Sequence, residues 1–249
     1  MFGEINTLQM VDDGSGADTT AGDSVFTAVI PPNSAGPGQM IRWYVTATDL
    51  NGQSSRWPLF TDRYGSEEYL GTVIEDPSID SRLPVLHLFV QNPNALPTRC
   101  SLYYNGELYD NIQMRVRGQT TSGFPKKPYK LDFNKDHRFL YAPGGERVGK
   151  VNLMSNYADK SKLRNSLAYE YINRAGSVGH WCFPVRLQRN GSFFSVAEML
   201  ENGSDEWLER TGLDSEGALY KIYNSLNSTS GAEKKTRKTE GTADLQQLI

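Results

Sequence analysis

RVRGQTTSGFPKKPYKLDF, residues Arg115 to Phe133, sets a polar, glycine-bounded loop, Gly118 to Gly123, between two segments that read as strands. Three lysines, Lys126, Lys127 and Lys130, crowd the start of the second segment. There Tyr129, Leu131 and Phe133 alternate with Lys130 and Asp132, which puts Lys130 on the face opposite the apolar set. A flexible loop with hydroxyls such as Ser122, followed by cations at a strand start, can cradle an anionic ligand such as a phosphate chain. The same residues also suit an exposed hairpin loop with a solvated basic edge. No P-loop or Rossmann spacing decides between the two.

Outward from this stretch the chain reads as hairpins around one helix. VLHLFV, from Val85, is an apolar run consistent with a buried strand, and His87 inside it reads as a core histidine rather than a ligand. CSLYY and ELYDNIQMRVRG flank Asn105-Gly106, a two-residue hairpin signal. Downstream, Asp159 or Ser161 caps a helix predicted to run to about Arg174, with Gly176 at its C-terminal end. Leu163, Leu167 and Tyr171 fall at i, i+4 and i+8 and predict its core stripe. Glu170 lies beside that stripe, placed to reach a cation from the sheet or to stay solvated. A second hairpin, Pro184 to Glu201, turns at Asn190-Gly191, and SDEWLERTG and ALYKIYN read as a short helix and a strand. The charge run EKKTRKTE carries Lys234, Lys235, Arg237 and Lys238 without an interleaved aromatic platform, so it reads as a solvated edge and not as a nucleic-acid patch.

Residues 1–75 read as all-β, with alternating segments at Ser24–Ile30 and Met40–Asp49 between turn-rich stretches. IRWYVTATDLNGQSSRWP resembles the closing strands of an immunoglobulin-like or fibronectin-like module of secreted bacterial proteins. About four strands fit, where a sandwich needs about seven. Asp12, Asp13, Asp18 and Asp23 crowd one loop, a pattern that serves Ca²⁺ or simply turn formation, and the spacing is not that of an EF-hand. DPSIDSRLP, residues 76–84, reads as a linker to a second domain at 85–249. MFGEINTLQM reads as an interior strand and DLQQLI as the opening of a helix, so both ends read as cut.

RGQTTSGFPKKPYKLDF resembles the RGxxS…KKxYKxxF signature of the spore-coat protein H (CotH) kinase family. NYADKSKLRNSLAYEYINRAG, RLQRNGSFFSVAEMLE and DEWLERTGLDSEGALYK resemble its later segments in the same order. The resemblance implies an α+β architecture, a partial β-sandwich followed by the β-rich N-lobe and helix of an atypical protein-kinase-like fold. It implies ATP with Mg²⁺ as cofactor, transfer of phosphate to Ser or Thr of a surface or coat protein, and a place outside the cell or on the spore. Gly118 to Gly123, Ser122 included, would cover the nucleotide. Lys127 or Lys126 would pair the phosphates, with Arg117 and Lys130 in support. Glu170 would parallel the glutamate that orients such a lysine, and Glu201 would lie near the lobe junction. Arg164 and Asn165 match the family motif without an assigned role.

Phosphoryl transfer also needs acids that hold Mg²⁺ and position the acceptor. The stretch after Lys221 holds a single aspartate, Asp244, so no catalytic residue is assigned and this chain alone is expected to be inactive. The competing reading is a non-catalytic surface or coat module. At 38% hydrophobic and 22% charged residues with net charge −3, the composition is that of a globular protein without a global drive toward nucleic acid or anionic membrane. No run is long enough to span a membrane, and no signal peptide is visible. No G-x-S-x-G elbow and no zinc spacing among the three histidines is present, so no metal site is assigned. Cys100 and Cys182 read as buried small side chains or as a disulfide pair.

Overall fold

The computed structural model describes residues 5–59 and 67–249. Four short strands come first: β1 (Met40–Trp43), β2 (Val45–Thr48), β3 (Ser54–Trp57) and β4 (Leu70–Val73). They form two separate antiparallel ribbons, β1 with β4 and β2 with β3. Ser24–Ile30 contributes a single bridge, Val11 to Thr27, and residues 5–10 of the expected interior strand are irregular; its first four residues lie outside the described ones. The aspartate loop brings carboxylate oxygens of Asp12, Asp18 and Asp23 within 4.8 Å of one another and ties its own turns. Asp12 accepts from the backbone N–H groups of Gly22 (2.6 Å) and Ser24 (3.0 Å), and Asp18 from that of Gly14 (2.7 Å).

The larger part is a closed barrel of seven strands. They are β5 (Val85–Phe89), β6 (Thr98–Tyr104), β7 (Glu107–Val116), β8 (Tyr129–Asp132), β11 (Lys150–Met154), β12 (Cys182–Arg189) and β13 (Ser192–Glu201). Two short strands, β9 (Phe139–Leu140) and β10 (Arg147–Val148), pair with each other between β8 and β11. Around the ring, β5, β6, β7, β8, β11, β13 and β12 pair antiparallel in turn, and β12 closes on β5 in parallel. Closure leaves the ring without the unpaired edge of an open sheet. Leu86, Leu88, Leu102, Leu131, Leu153 and Met199 fill the interior. Strict alternation along β7 would turn Tyr109 outward. A register slip opposite Cys100–Leu102, with Asn111 at φ +53°, inserts one residue, so Tyr109, Ile112 and Met114 all face in. Both hairpin dipeptides take positive φ at each position, 50° and 86° at Asn105-Gly106 and 52° and 80° at Asn190-Gly191.

Side chains from both sides of residues 76–84 share a small core of Met40, Val73, Phe89 and Leu108. Asp110, buried on β7, holds the first ribbon by accepting from Arg42 (3.2 Å) and from the backbone N–H of Tyr69 (3.1 Å). His87 is buried on the outer face of β5 and not in the barrel core. Its Nδ1 has no partner, and burial pushes its pKa down. Both cysteines are free thiols.

The helices are α1 (Arg164–Arg174), α2 (Asp205–Arg210) and α3 (Ala243–Leu248), and β14 (Tyr220–Ile222) pairs with β15 (Ala232–Lys234). Asp159 receives the backbone N–H of Arg164 at 3.1 Å, and Gly176 closes α1 at φ +80°. The predicted core stripe is on the wrong side: Leu167 is 60% exposed and Tyr171 77%. α1 is seated by Ser166, its one buried residue, because the surface beneath it presents a carboxylate and not an apolar patch. Leu167→Gln is accordingly expected to change stability by no more than about 0.5 kcal/mol in a urea titration; a loss of about 2 kcal/mol would restore the apolar stripe.

Candidate functional site

The outer faces of β7, β8, β11 and β13 form one wall. Register sets Arg115 opposite Lys130, Lys130 opposite Asn152, and Asn152 opposite Leu200. Tyr129 and Leu131 point into the core, so Lys130 must point out, as the alternation predicts. The β14–β15 ribbon stands across from this wall and completes a cleft of about 600 Å³.

Two cations define the cleft. Lys130 Nζ donates to Asn202 Oδ1 at 2.7 Å. Burial pushes its ammonium down to about 8 against the pull of Asp132, and the charges of Lys235, Arg115 and Lys150 push the same way. Arg117 closes β7 with Nη1 2.7 Å from the sulfur of Met154, and burial depresses its pKa as well. Among the described residues, no carboxylate bonds either cation. Lys221 and Lys235 add positive charge from the ribbon.

The acids lining the cleft are already saturated. Glu201 takes Arg210 Nε and Nη2, each at 2.6 Å. Burial alone would raise its carboxyl, but the His180 and Arg210 contacts hold it below the usual range. Glu233 accepts from Lys235 (2.8 Å) and from the Tyr223 hydroxyl (2.6 Å), and these bonds pull it down to about 2. Aromatic rings gather along one side: His180 lies 5.4 Å from Tyr169 and 5.0 Å from Trp207, centroid to centroid. An anion with a planar group attached suits such a cavity.

Of the residues singled out in the sequence, Arg117, Gly118, Lys130 and Glu201 line the cleft, and Ser122, Lys126, Lys127 and Glu170 do not. Gly118 sits at φ +88°, where a Cβ would come within 2.1 Å of Thr121 Oγ1, so the turn demands glycine. The loop closes through Arg117 N–H to Pro128 O at 3.0 Å. Lys126 and Lys127 therefore belong to the loop and not to the strand. Lys126 Nζ donates to Phe194 O at 2.5 Å, and Lys127 is exposed. Ser122 Oγ donates to Gln119 O within a 3₁₀ turn. Glu170 pairs with Arg174 of its own helix at 2.6 Å, because α1 turns Ser166 and Tyr169 inward.

Sequence reasoning missed Asn152, Asn202, Lys235 and Glu198. Lys235 sits in the charge run read as solvated, and its neighbour Lys234 pins Asp244 (3.2 Å) to anchor the ribbon. Glu198, wholly buried on β13, accepts from Asn165 Nδ2 (2.8 Å), the Ser166 N–H (2.9 Å) and the Ser166 hydroxyl (2.6 Å), and also from Asn156 Nδ2. That gives Asn165 its role: it seats α1 on the barrel beside Arg117. The repeated small polar residues of NYADKSKLRNS were the available signal.

Residues 114–248, more than half of the chain, match the family model described as CotH kinase protein. No curated protein matches the chain. The matched span begins on β7 and runs through the cleft wall, α1, the second hairpin and the β14–β15 ribbon, so every residue that lines the cleft falls inside it. The chain belongs to the CotH kinase protein family.

Proposed function

We propose that the cleft binds the phosphate chain of ATP, and that the chain is the nucleotide-holding part of a CotH-like kinase acting on Ser or Thr of a surface or coat protein. The observation that carries this reading is the pair of half-buried cations, Arg117 and Lys130, that face one cavity and, among the described residues, bond no carboxylate. Their partners are neutral, Asn202 Oδ1 for Lys130 and the Met154 sulfur for Arg117. Keeping a cation desolvated without a counter-charge is unfavourable, and phosphate oxygens supply that charge. Tyr169, His180 and Trp207 offer ring faces to the base. Glu201 and Glu233, both saturated by cations, do not suit Mg²⁺, so the residues here fit the phosphates and not the metal, and no transfer step is assigned to them.

ATP titrated into the protein and followed by calorimetry tests the reading. Saturable binding is expected, unchanged within about twofold when Lys126 and Lys127 both become alanine, since neither reaches the cleft. Absence of binding to the native protein would leave the non-catalytic surface module as the better account. A large loss in the double variant would return the phosphates to the loop lysines.

A further inference from the structure

Lys126 and Lys127 have a neighbourhood of their own. The strand directions bring four segments to one end of the barrel: residues 90–97, 117–128, 155–163 and the turn at 190–191. Lys126 and Arg189 both lie over the ring of Phe194, at 5.3 Å and 3.9 Å from its centroid. Among the described residues no carboxylate bonds either of them. Two cations on one ring repel each other, and an anion bridging them would relieve that repulsion.

The surface around them is continuous. Ser155 Oγ donates to Lys126 O at 2.6 Å, and Phe124 packs on Tyr157 with centroids 5.5 Å apart, so the 117–128 and 155–163 loops are joined. Lys160 and Lys162 thereby fall on the same end. The four segments hold one acid, Asp159, and it already accepts from the Arg164 N–H and the Ser161 hydroxyl. On a protein of net charge −3, this end is strongly basic, with Tyr157 exposed beside it.

We propose that this end of the barrel docks an acidic segment of the protein substrate. The inference rests on the kinase reading and names its partner. The 117–128 loop carries Arg117 and Gly118 on its cleft side and Lys126 and Lys127 beyond, so a docked segment lies beside the phosphates of a bound nucleotide. Charge complementarity of this kind sets on-rate and specificity more than raw affinity.

A fluorescein-labelled decapeptide of alternating Glu and Ser, with its Gln-for-Glu counterpart, tests the proposal on the whole chain. The acidic peptide is expected to bind, more weakly as salt rises, and the neutral one not to bind. Lys126→Ala with Arg189→Ala is expected to weaken the peptide about tenfold and to leave ATP affinity unchanged. Lys127→Glu, at an exposed site, should weaken it without any risk to folding. Equal peptide affinity in these variants overturns the proposal, as does tighter binding of an oligonucleotide of the same charge. ATP titrated into the same samples separates the two readings. ATP binding without peptide binding sinks the docking face alone, and peptide binding without ATP binding sinks the cleft assignment and keeps the face.

Discussion

Arg117→Ala is expected to lower ATP affinity by roughly 10- to 100-fold, the loss of a charge-assisted contact worth about 1.5–3 kcal/mol. The barrel should remain folded, because among the described residues the guanidinium bonds no carboxylate and rests against the Met154 sulfur. Lys130 gives the same site a pH signature. Its ammonium titrates at about 8 when the cleft holds no anion, so ATP affinity is full below that value and falls as pH rises through it. Stability runs the other way. The unfolded lysine keeps its proton up to about 10.5, so the unfolded state binds more protons between about pH 8 and 10.5, and stability rises across that window. Calorimetric ATP titrations at pH 7 and pH 9, beside urea melts at the same values, check both signs. A Lys130→Met variant should flatten both trends, and parallel trends in the native protein would remove Lys130 from the ligand.

Glu198→Ala is expected to cost about 3 kcal/mol or more of stability, because it strands four buried or half-buried donors at once. Glu198→Gln keeps the shape but turns an amide N–H₂ toward some of those donors, so it should fall between alanine and the native residue. Urea midpoints rank the three proteins, and hydrogen exchange along α1 shows whether the helix is released first. A loss under about 1 kcal/mol for the alanine variant would mean that α1 is held by something other than this carboxylate. Since α1 carries Tyr169 into the cleft wall, its release should weaken ATP as well.

What could be read from sequence was local. Asn105-Gly106 and Asn190-Gly191 announced their hairpins because type I′ turns depend on two residues alone. The outward Lys130 followed from a period of two over five residues. The failures were failures of context. Leu163, Leu167 and Tyr171 have helical spacing, but spacing cannot say which face meets the protein, and here a buried carboxylate chose the polar one. Lys126 and Lys127 looked like strand residues until the loop was seen to close at Pro128. Glu198 was hidden in an apolar run, and its partners Asn156 and Asn165 lie 42 and 33 residues away along the chain. No alternation pattern reports that separation.

The parallel pairing of β5 with β12 has a kinetic side. At the seam the side-chain amide of Asn190 accepts from the backbone N–H of Val90 and donates to its C=O, across a hundred residues of chain. Every other barrel pairing joins strands that are nearer in sequence, so this seam carries the largest loop-closure entropy and raises the contact order of the whole. A chain emerging from the ribosome can fold its β6–β7 hairpin early, but β5 keeps one bare edge until Arg189 has been made. The interval between those two events is when the nascent barrel is open to wrong partners.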